Sequence, residues 1–78
     1  MHLTILNLNE TLYDGEASGI TAPGTVGEFT VLPHHIDLLT SLKKGVITVH
    51  TKGVEKTYIE APRGGIFELA GEKATILL

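Results

Sequence analysis

Turn residues recur along the whole chain. Glycine or proline interrupts it every several residues, which is the spacing of short β-strands separated by turns. Between these interruptions apolar and polar side chains alternate, as in the run Glu28-Phe29-Thr30-Val31, where the alternation directs Phe29 and Val31 inward. No linker, repeat or low-complexity block divides the chain. The sequence therefore predicts an all-β fold in a single domain that spans residues 1–78.

The composition narrows the class of protein. A chain of 78 residues has room for one domain with a small core, and 42% hydrophobic with 19% charged residues is ordinary for a soluble globular protein. Its longest apolar runs are only a few residues, far short of a membrane span. The net charge is −3 and the lysines are scattered, so no basic stripe is available for a phosphate backbone. We therefore expect no nucleic-acid partner.

Cysteine is absent from the chain, which excludes a disulfide framework and thiol chemistry. The residues after Met1 form a strand pattern, whereas a signal peptide needs a basic start and an apolar core. A reducing, cytoplasmic compartment fits both observations best.

The pattern of residues 1–22 predicts two strands. The first runs from about His2 to Leu8, and its apolar residues change face part-way along, which indicates a bulge or burial of both faces. Tyr13-Asp14-Gly15-Glu16 is typical of a turn, and it leads to a second strand that ends at Ile20 to Ala22.

Two β-hairpins can be drawn with a register. A two-residue loop at Lys52-Gly53 would produce the cross-strand pairs His50 with Glu55, Thr48 with Thr57, Val46 with Ile59, and Ile47 with Tyr58. A loop at Gly71-Glu72, where a leading glycine suits a type II′ turn, would pair Leu69 with Ala74, Phe67 with Ile76, Ile66 with Leu77, and Glu68 with Thr75. Two stacked sheets would bury the apolar sets of both hairpins.

The segment from Pro33 to Lys44 has two interpretations. Leu38, Leu39 and Leu42 follow helical spacing, with Pro33 at a possible helix start and lysines at the end before Gly45. A helix of two or three turns is marginal by itself, so tertiary pairing could instead draw the segment into strands. The residues alone leave both alternatives open.

The stretch from Pro23 to His35 predicts a rigid tip. Proline fixes φ, while Gly24 and Gly27 can adopt the positive φ angles that tight turns require. The tip presents the carboxylate of Glu28, which has no catalytic partner beside it in sequence. This arrangement favours a docking surface over a reaction centre.

Other candidates for chemistry are weak. His34-His35 would point to opposite faces of a strand, and no further ligand follows at metal-binding spacing. Ser18 and Ser41 lack a nucleophile-elbow pattern, and Gly64-Gly65 precedes no helix that could hold a phosphate. We therefore predict no catalytic residue, no bound cofactor and no metal site.

Several motifs resemble one family. The chain is similar to the N-terminal β-sandwich domain of the epsilon subunit of F-type ATP synthases over nearly its whole length. The motifs that carry the resemblance are Tyr13 and Gly15, Pro23-Gly24, Gly27-Glu28, Val31-Leu32-Pro33, His35, Leu38-Leu39-Thr40, Leu42-Lys43, Gly45, Gly64-Gly65-Ile66-Phe67-Glu68-Leu69 and Ala74-Thr75-Ile76-Leu77. Their order and spacing agree with those of the family.

The resemblance implies a fold and a function. The fold is a flattened sandwich of two antiparallel sheets built from about ten short strands, with Leu38 to Leu42 extended. The function is that of a non-catalytic rotor subunit, which docks on the gamma subunit and on the polar loops of the c-ring. It implies a peripheral position at the cytoplasmic face of an energy-transducing membrane, with membrane association through the complex only.

The resemblance also assigns site residues. By position, Glu28 is the loop carboxylate that meets the c-ring, and Gly27, Phe29 and His35 shape the same end. Pro23, Gly24 and Pro33 stiffen the loop. Torque transmission needs a preformed contact with several dispersed pairs, which a compact sandwich supplies.

The chain departs from the family pattern in two places. The family's C-terminal helical hairpin has no counterpart before Leu78, so we expect no regulatory inhibition by such helices. Ile36-Asp37 stands where the family commonly has Ala-Pro. The alternatives to a rotor subunit are a lipoyl or biotinyl carrier domain, with Lys43-Lys44 as its exposed lysine, and an unrelated β-sandwich adaptor.

Overall fold

The computed structural model describes residues Met1–Leu78 and is built from β-strands alone. The nine strands are β1 His2–Leu6, β2 Thr11–Glu16, β3 Gly19–Pro23, β4 Glu28–Val31, β5 Leu38–Leu42, β6 Gly45–His50, β7 Lys56–Ala61, β8 Gly65–Ala70 and β9 Lys73–Leu77. The predicted all-β class is confirmed, with nine strands where about ten were expected.

The strands form two sheets. One has five strands in the order β2-β1-β9-β8-β5, and the other has four in the order β4-β3-β6-β7. The expectation of purely antiparallel sheets is wrong for one pair, because β1 and β9 run parallel. Parallel neighbours need a long connection, and here the whole chain between its first and last strands supplies it. The pairing places Leu3 beside Ala74 and Ile5 beside Ile76, all four of them buried.

The core lies between the two sheets. Its fourteen buried apolar residues are Leu3, Ile5, Ala17, Ile20, Ala22, Val31, Leu42, Ile47, Val49, Ala61, Phe67, Leu69, Ala74 and Ile76. No polar or charged residue is buried. The inward direction predicted for Phe29 and Val31 is confirmed, since Val31 is fully buried and Phe29 packs against the core while remaining partly exposed.

The first two strands differ from their predicted bounds. β1 ends at Leu6, with the predicted irregularity between Ile5 and Leu6. The turn lies at Asn7, whose side-chain oxygen accepts hydrogen bonds from the backbone N–H of Asn9 and Glu10 at 2.8 Å each.

The turn predicted at Tyr13 to Glu16 is wrong, because these residues lie within β2 and pair with β1. The Tyr13 ring covers Gly15, and its hydroxyl donates to the Glu16 carbonyl at 2.8 Å. Pairing with β1 therefore overrides the local turn preference of Asp14-Gly15.

The hairpin at Gly71-Glu72 has the predicted register. Leu69 pairs with Ala74 and Phe67 with Ile76, and Gly71 has a φ of 63°, as the first position of a type II′ turn requires.

The hairpin around Lys52-Gly53 is displaced by one residue from its predicted register. Ile47 pairs with Ile59, and Thr48 pairs with Tyr58. The loop is also longer than two residues, since the Thr51 N–H donates to the Glu55 carbonyl at 3.2 Å. A slip of one residue reverses the faces of a strand, so the packing of the partly buried Ile59 against the core beside Ile47 selects the observed register and leaves Tyr58 exposed.

The segment from Pro33 to Lys44 contains no helix. Residues Leu38–Leu42 form β5 at the edge of the five-stranded sheet, paired with β8 and with Leu42 buried. The extended conformation implied by the family resemblance is confirmed, and the helical interpretation is wrong. A helix this short would be unstable by itself, whereas the extended segment is stabilised by its hydrogen bonds to β8.

Candidate functional site

A groove runs along one open side of the sandwich, between the edge strands β4 and β5. It has a volume of about 450 Å³. Its lining includes five residues that the sequence analysis selected, namely Gly24, Gly27, Glu28, Phe29 and His35. The other lining residues are Val26, Thr30, Leu38 and Thr40. We call this feature the β4–β5 groove.

The turn above the groove is fixed by backbone contacts. The Gly27 N–H donates to the Gly24 carbonyl at 3.1 Å, which closes the turn. The Thr25 N–H donates to the Ser41 carbonyl at 3.1 Å, and the Lys43 N–H donates to the Pro23 carbonyl at 2.8 Å. These bonds join the β3–β4 turn to the neighbouring sheet.

The two glycines of this turn serve different purposes. Gly27 has a positive φ of 154°, as predicted, whereas Gly24 does not have a positive φ. Gly24 is required for space: a Cβ there would lie 2.7 Å from the Gly27 carbonyl oxygen and 3.0 Å from Phe29 Cδ1. Gly24 therefore lets the turn fold back closely over the aromatic ring.

Phe29 links the groove to the core. Its ring meets Phe67 at a centroid distance of 5.4 Å and an interplanar angle of 83°, an edge-to-face pair. Because Phe67 is fully buried, one side of Phe29 is held by the core while the other side lines the groove. The groove is thus continuous with the packed interior.

Glu28 is an exposed carboxylate at the rim of the groove. It is the first residue of β4 and lies opposite the buried Pro23 on β3. The ion pairs of the structure involve the N-terminus, His2 and His34, and none involves Glu28. Its charge therefore remains available to a partner.

Val26 is a site residue that the sequence analysis did not select. Its side chain is fully exposed at the apex of the β3–β4 turn and lines the groove beside Glu28. An apolar residue between Gly24 and Gly27 in a turn is a pattern that could have identified it.

The consecutive residues Pro33, His34 and His35 lie in three different environments. His35 lines the groove, and its Nδ1 lies 2.7 Å from the Ile36 carbonyl oxygen. His34 has a φ of 69°, and its Nδ1 lies 3.4 Å from Glu72 Oε1. Pro33 follows the far end of β4 and contributes to a different depression, beside Lys52. Pro33 and Glu28 therefore lie at opposite ends of β4.

The groove presents polar and apolar side chains next to one another. It presents one carboxylate, one imidazole, two threonine hydroxyls and three apolar side chains, from Val26, Phe29 and Leu38. No group of three or more histidine and acidic side chains in the structure could hold a metal ion. No helix long and apolar enough to cross a membrane is present.

The fold and the groove define a class of protein: a small all-β sandwich of two sheets with a groove along one open edge. Residues 1–78 match the β-sandwich domain of the ATP synthase delta/epsilon chain. The chain belongs to this family.

Two bacterial relatives illustrate the similarity. The ATP synthase epsilon chain of Laribacter hongkongensis is 35% identical over 99% of this chain and 55% of its own length. The ATP synthase epsilon chain of Ruthia magnifica is 42% identical over 97% of this chain and 54% of its own length. The chain thus spans about half the length of the curated relatives it matches.

Two solved structures contain a similar fold. A chain in the Euglena gracilis mitochondrial ATP synthase, determined as OSCP/F1/c-ring, has a TM-score of 0.87 at 25% identity, over 96% of this chain and 48% of that one. A chain in the central stalk/c-ring structure of the Tetrahymena thermophila mitochondrial ATP synthase has a TM-score of 0.79 at 17% identity, over 97% of this chain and 60% of that one. The second similarity concerns the fold alone.

Proposed function

We propose that this chain is the β-sandwich part of an ATP synthase rotor subunit, which joins the gamma central stalk to the c-ring. It supplies no catalytic residue and acts by docking. Its family membership and its similarity to a chain in an OSCP/F1/c-ring assembly support this function. The observation that carries the proposal is the unpaired Glu28 carboxylate at the rim of a groove whose turn is tied to the neighbouring sheet by backbone hydrogen bonds.

The β4–β5 groove and its turn form the c-ring contact in this proposal. Glu28 interacts with the polar loops of the ring, while Gly27, Phe29 and His35 shape the surface around it. Rotation loads this contact repeatedly, so its geometry has to exist before binding, because ordering a loose loop would consume binding free energy. The hydrogen bonds from Thr25 and Lys43 to the neighbouring strands meet that requirement.

The proposal also specifies where the chain works. The sandwich sits beside the gamma subunit at the cytoplasmic face of an energy-transducing membrane, and it reaches that membrane only through the complex. A carrier-domain function receives no support, because Lys43-Lys44 joins β5 of one sheet to β6 of the other and is not the turn of a hairpin.

A charge reversal at Glu28 tests this function in the complete ATP synthase. We expect Glu28→Lys to change the unfolding free energy by less than about 0.5 kcal/mol, because the side chain is exposed and unpaired. Like charges at the contact should lower affinity for the ring by about tenfold and reduce proton-driven ATP synthesis. Affinity is measured with a purified assembly of gamma subunit and c-ring, and synthesis is measured in membrane vesicles.

The matched control is Glu55→Lys, which makes the same change of charge in the exposed β6–β7 loop at the opposite end of the sandwich. We expect it to leave both the affinity and ATP synthesis close to wild type. Equal effects of the two substitutions, or unchanged coupling in Glu28→Lys, would contradict the proposed contact.

A further inference from the structure

Three cationic residues lie on two turns whose backbones approach each other at one end of the sandwich. Lys43 and Lys44 form the β5–β6 connection, and Arg63 lies in the β7–β8 turn. The two turns touch through Gly64, because a Cβ there would lie 2.1 Å from the Leu42 carbonyl oxygen and 3.0 Å from the Lys43 carbonyl carbon. We call Lys43, Lys44 and Arg63 the cationic tip.

The cationic tip holds half of the chain's six lysine and arginine residues, although the chain as a whole has a net charge of −3. All three residues are exposed, and none of the ion pairs in the structure involves a lysine or an arginine. Arg63 and Glu60 line the same depression of about 340 Å³ without forming an ion pair. The three charges are therefore free to interact with a partner.

The cationic tip is continuous with the turn that presents Glu28. The Lys43 N–H donates to the Pro23 carbonyl at 2.8 Å, and Gly24 forms a β-bridge with Leu42. The same end of the sandwich thus presents a carboxylate on the β3–β4 turn and three cations on the adjoining turns. The sequence order does not reveal this arrangement, because Arg63 is far along the chain from both Glu28 and the Lys43-Lys44 pair.

The chemistry of this end favours a protein partner over a lipid surface. An anionic bilayer would attract the cationic tip, but it would repel Glu10, Glu28 and Glu60, which lie at the same end of the strands. A protein surface can place a cation opposite Glu28 and carboxylates opposite the tip. Only a partner that carries both signs satisfies all of these groups.

We propose that the cationic tip binds carboxylate side chains on the partner surface that Glu28 contacts. This inference rests on the proposed function, and it assigns the ring loops a carboxylate-bearing patch beside their contact with Glu28. The two-signed pattern also fixes orientation, because turning the sandwich around would bring like charges together. The cationic tip therefore determines the orientation in which the sandwich binds, in addition to its affinity.

Two triple variants test the proposal with equal changes of charge. The tip variant carries Lys43→Glu, Lys44→Glu and Arg63→Glu. The far-end variant carries Lys52→Glu, Lys56→Glu and Lys73→Glu, in the β6–β7 loop and at the starts of β7 and β9, at the other end of the sandwich. All six positions are exposed, so both variants should fold, which circular dichroism checks.

The measurement is the association rate constant for a purified, immobilised assembly of gamma subunit and c-ring, at several ionic strengths. Charges at the rim of an interface act mainly on this rate constant. We expect the tip variant to associate at least about tenfold more slowly than wild type at low salt, with the difference shrinking at high salt. The far-end variant should stay within about twofold of wild type.

The outcomes separate this inference from the function on which it rests. A wild-type chain that does not bind the assembly refutes the proposed function and this inference with it. Wild-type binding with equal rates for the two triple variants refutes the inference alone. Binding of the wild-type chain to ring-free vesicles of anionic lipid, lost in the tip variant, would assign the tip to lipid and also overturn the proposal.

Discussion

Removing the Phe67 ring is the most demanding test of the core. Phe67 is fully buried on β8, opposite Thr40 of β5 and Ile76 of β9. We expect Phe67→Ala to lower the unfolding free energy by about 3–5 kcal/mol, because the substitution loses apolar burial and leaves a cavity. The sandwich has only two layers of strands, so the neighbouring side chains have little freedom to close that cavity.

The expected loss is large for a domain of this size. At about 0.05–0.15 kcal/mol per residue, a chain of 78 residues has an unfolding free energy of roughly 4–12 kcal/mol. The substitution would therefore remove a large part of the total stability. Phe67→Leu retains most of the apolar volume and provides a second, milder variant that should remain folded.

The assay is urea denaturation followed by far-ultraviolet circular dichroism, with unfolding free energies taken from the linear dependence on urea. The order of stability should be wild type, then Phe67→Leu, then Phe67→Ala. A double-mutant cycle with Phe29→Ala should give a coupling of about 0.5–1.5 kcal/mol for the edge-to-face pair. A wild-type midpoint for Phe67→Ala would refute the assignment of this ring to the core.

Two further substitutions test the turns. Gly64 has a φ of 74° and faces the Leu42 carbonyl oxygen, so Gly64→Ala should destabilise by more than the roughly 1–2 kcal/mol expected for Gly71→Ala, which has a similar φ of 63° but open space around it. Equal losses in denaturation would show that the close approach at Gly64 is unimportant. The Asp37 carboxylate accepts a hydrogen bond from the Gly71 N–H at 2.9 Å, so Asp37→Ala should cost about 0.5–1.5 kcal/mol, while Asp37→Asn, which keeps an acceptor, should cost less. Identical unfolding free energies for these two variants would argue against that bond.

Sequence reasoning succeeded where the determining contacts are local. Alternation and the glycine at position 71 were enough to predict the register of the β8–β9 hairpin, because a two-residue turn aligns the strands on either side of it. The groove residues from Gly24 to Phe29 could also be predicted from the sequence, since they belong to one short turn and the strand that follows it. Short-range stereochemistry accounts for both results.

Sequence reasoning failed where strand pairing or packing outside the segment decided its structure. Tyr13 to Glu16 has the composition of a turn but lies in β2, because β1 supplies hydrogen-bonding partners for it. The β6–β7 hairpin is displaced by one residue from the predicted register, because packing of the partly buried Ile59 against the core outweighs the preference for a two-residue loop. Leu38–Leu42 has helical spacing but pairs with β8.

The sequence by itself determined the all-β class, the β3–β4 turn and an exposed carboxylate at position 28, because turn chemistry and alternation act over a few residues. The tertiary structure alone decided the parallel pairing of β1 with β9, the position of Pro33 beside Lys52, and the close approach of the turn that carries Arg63 to the connection that carries Lys43-Lys44. Each of these depends on which strands become neighbours. That choice depends on the burial of apolar surface between two sheets, a property of the assembled fold.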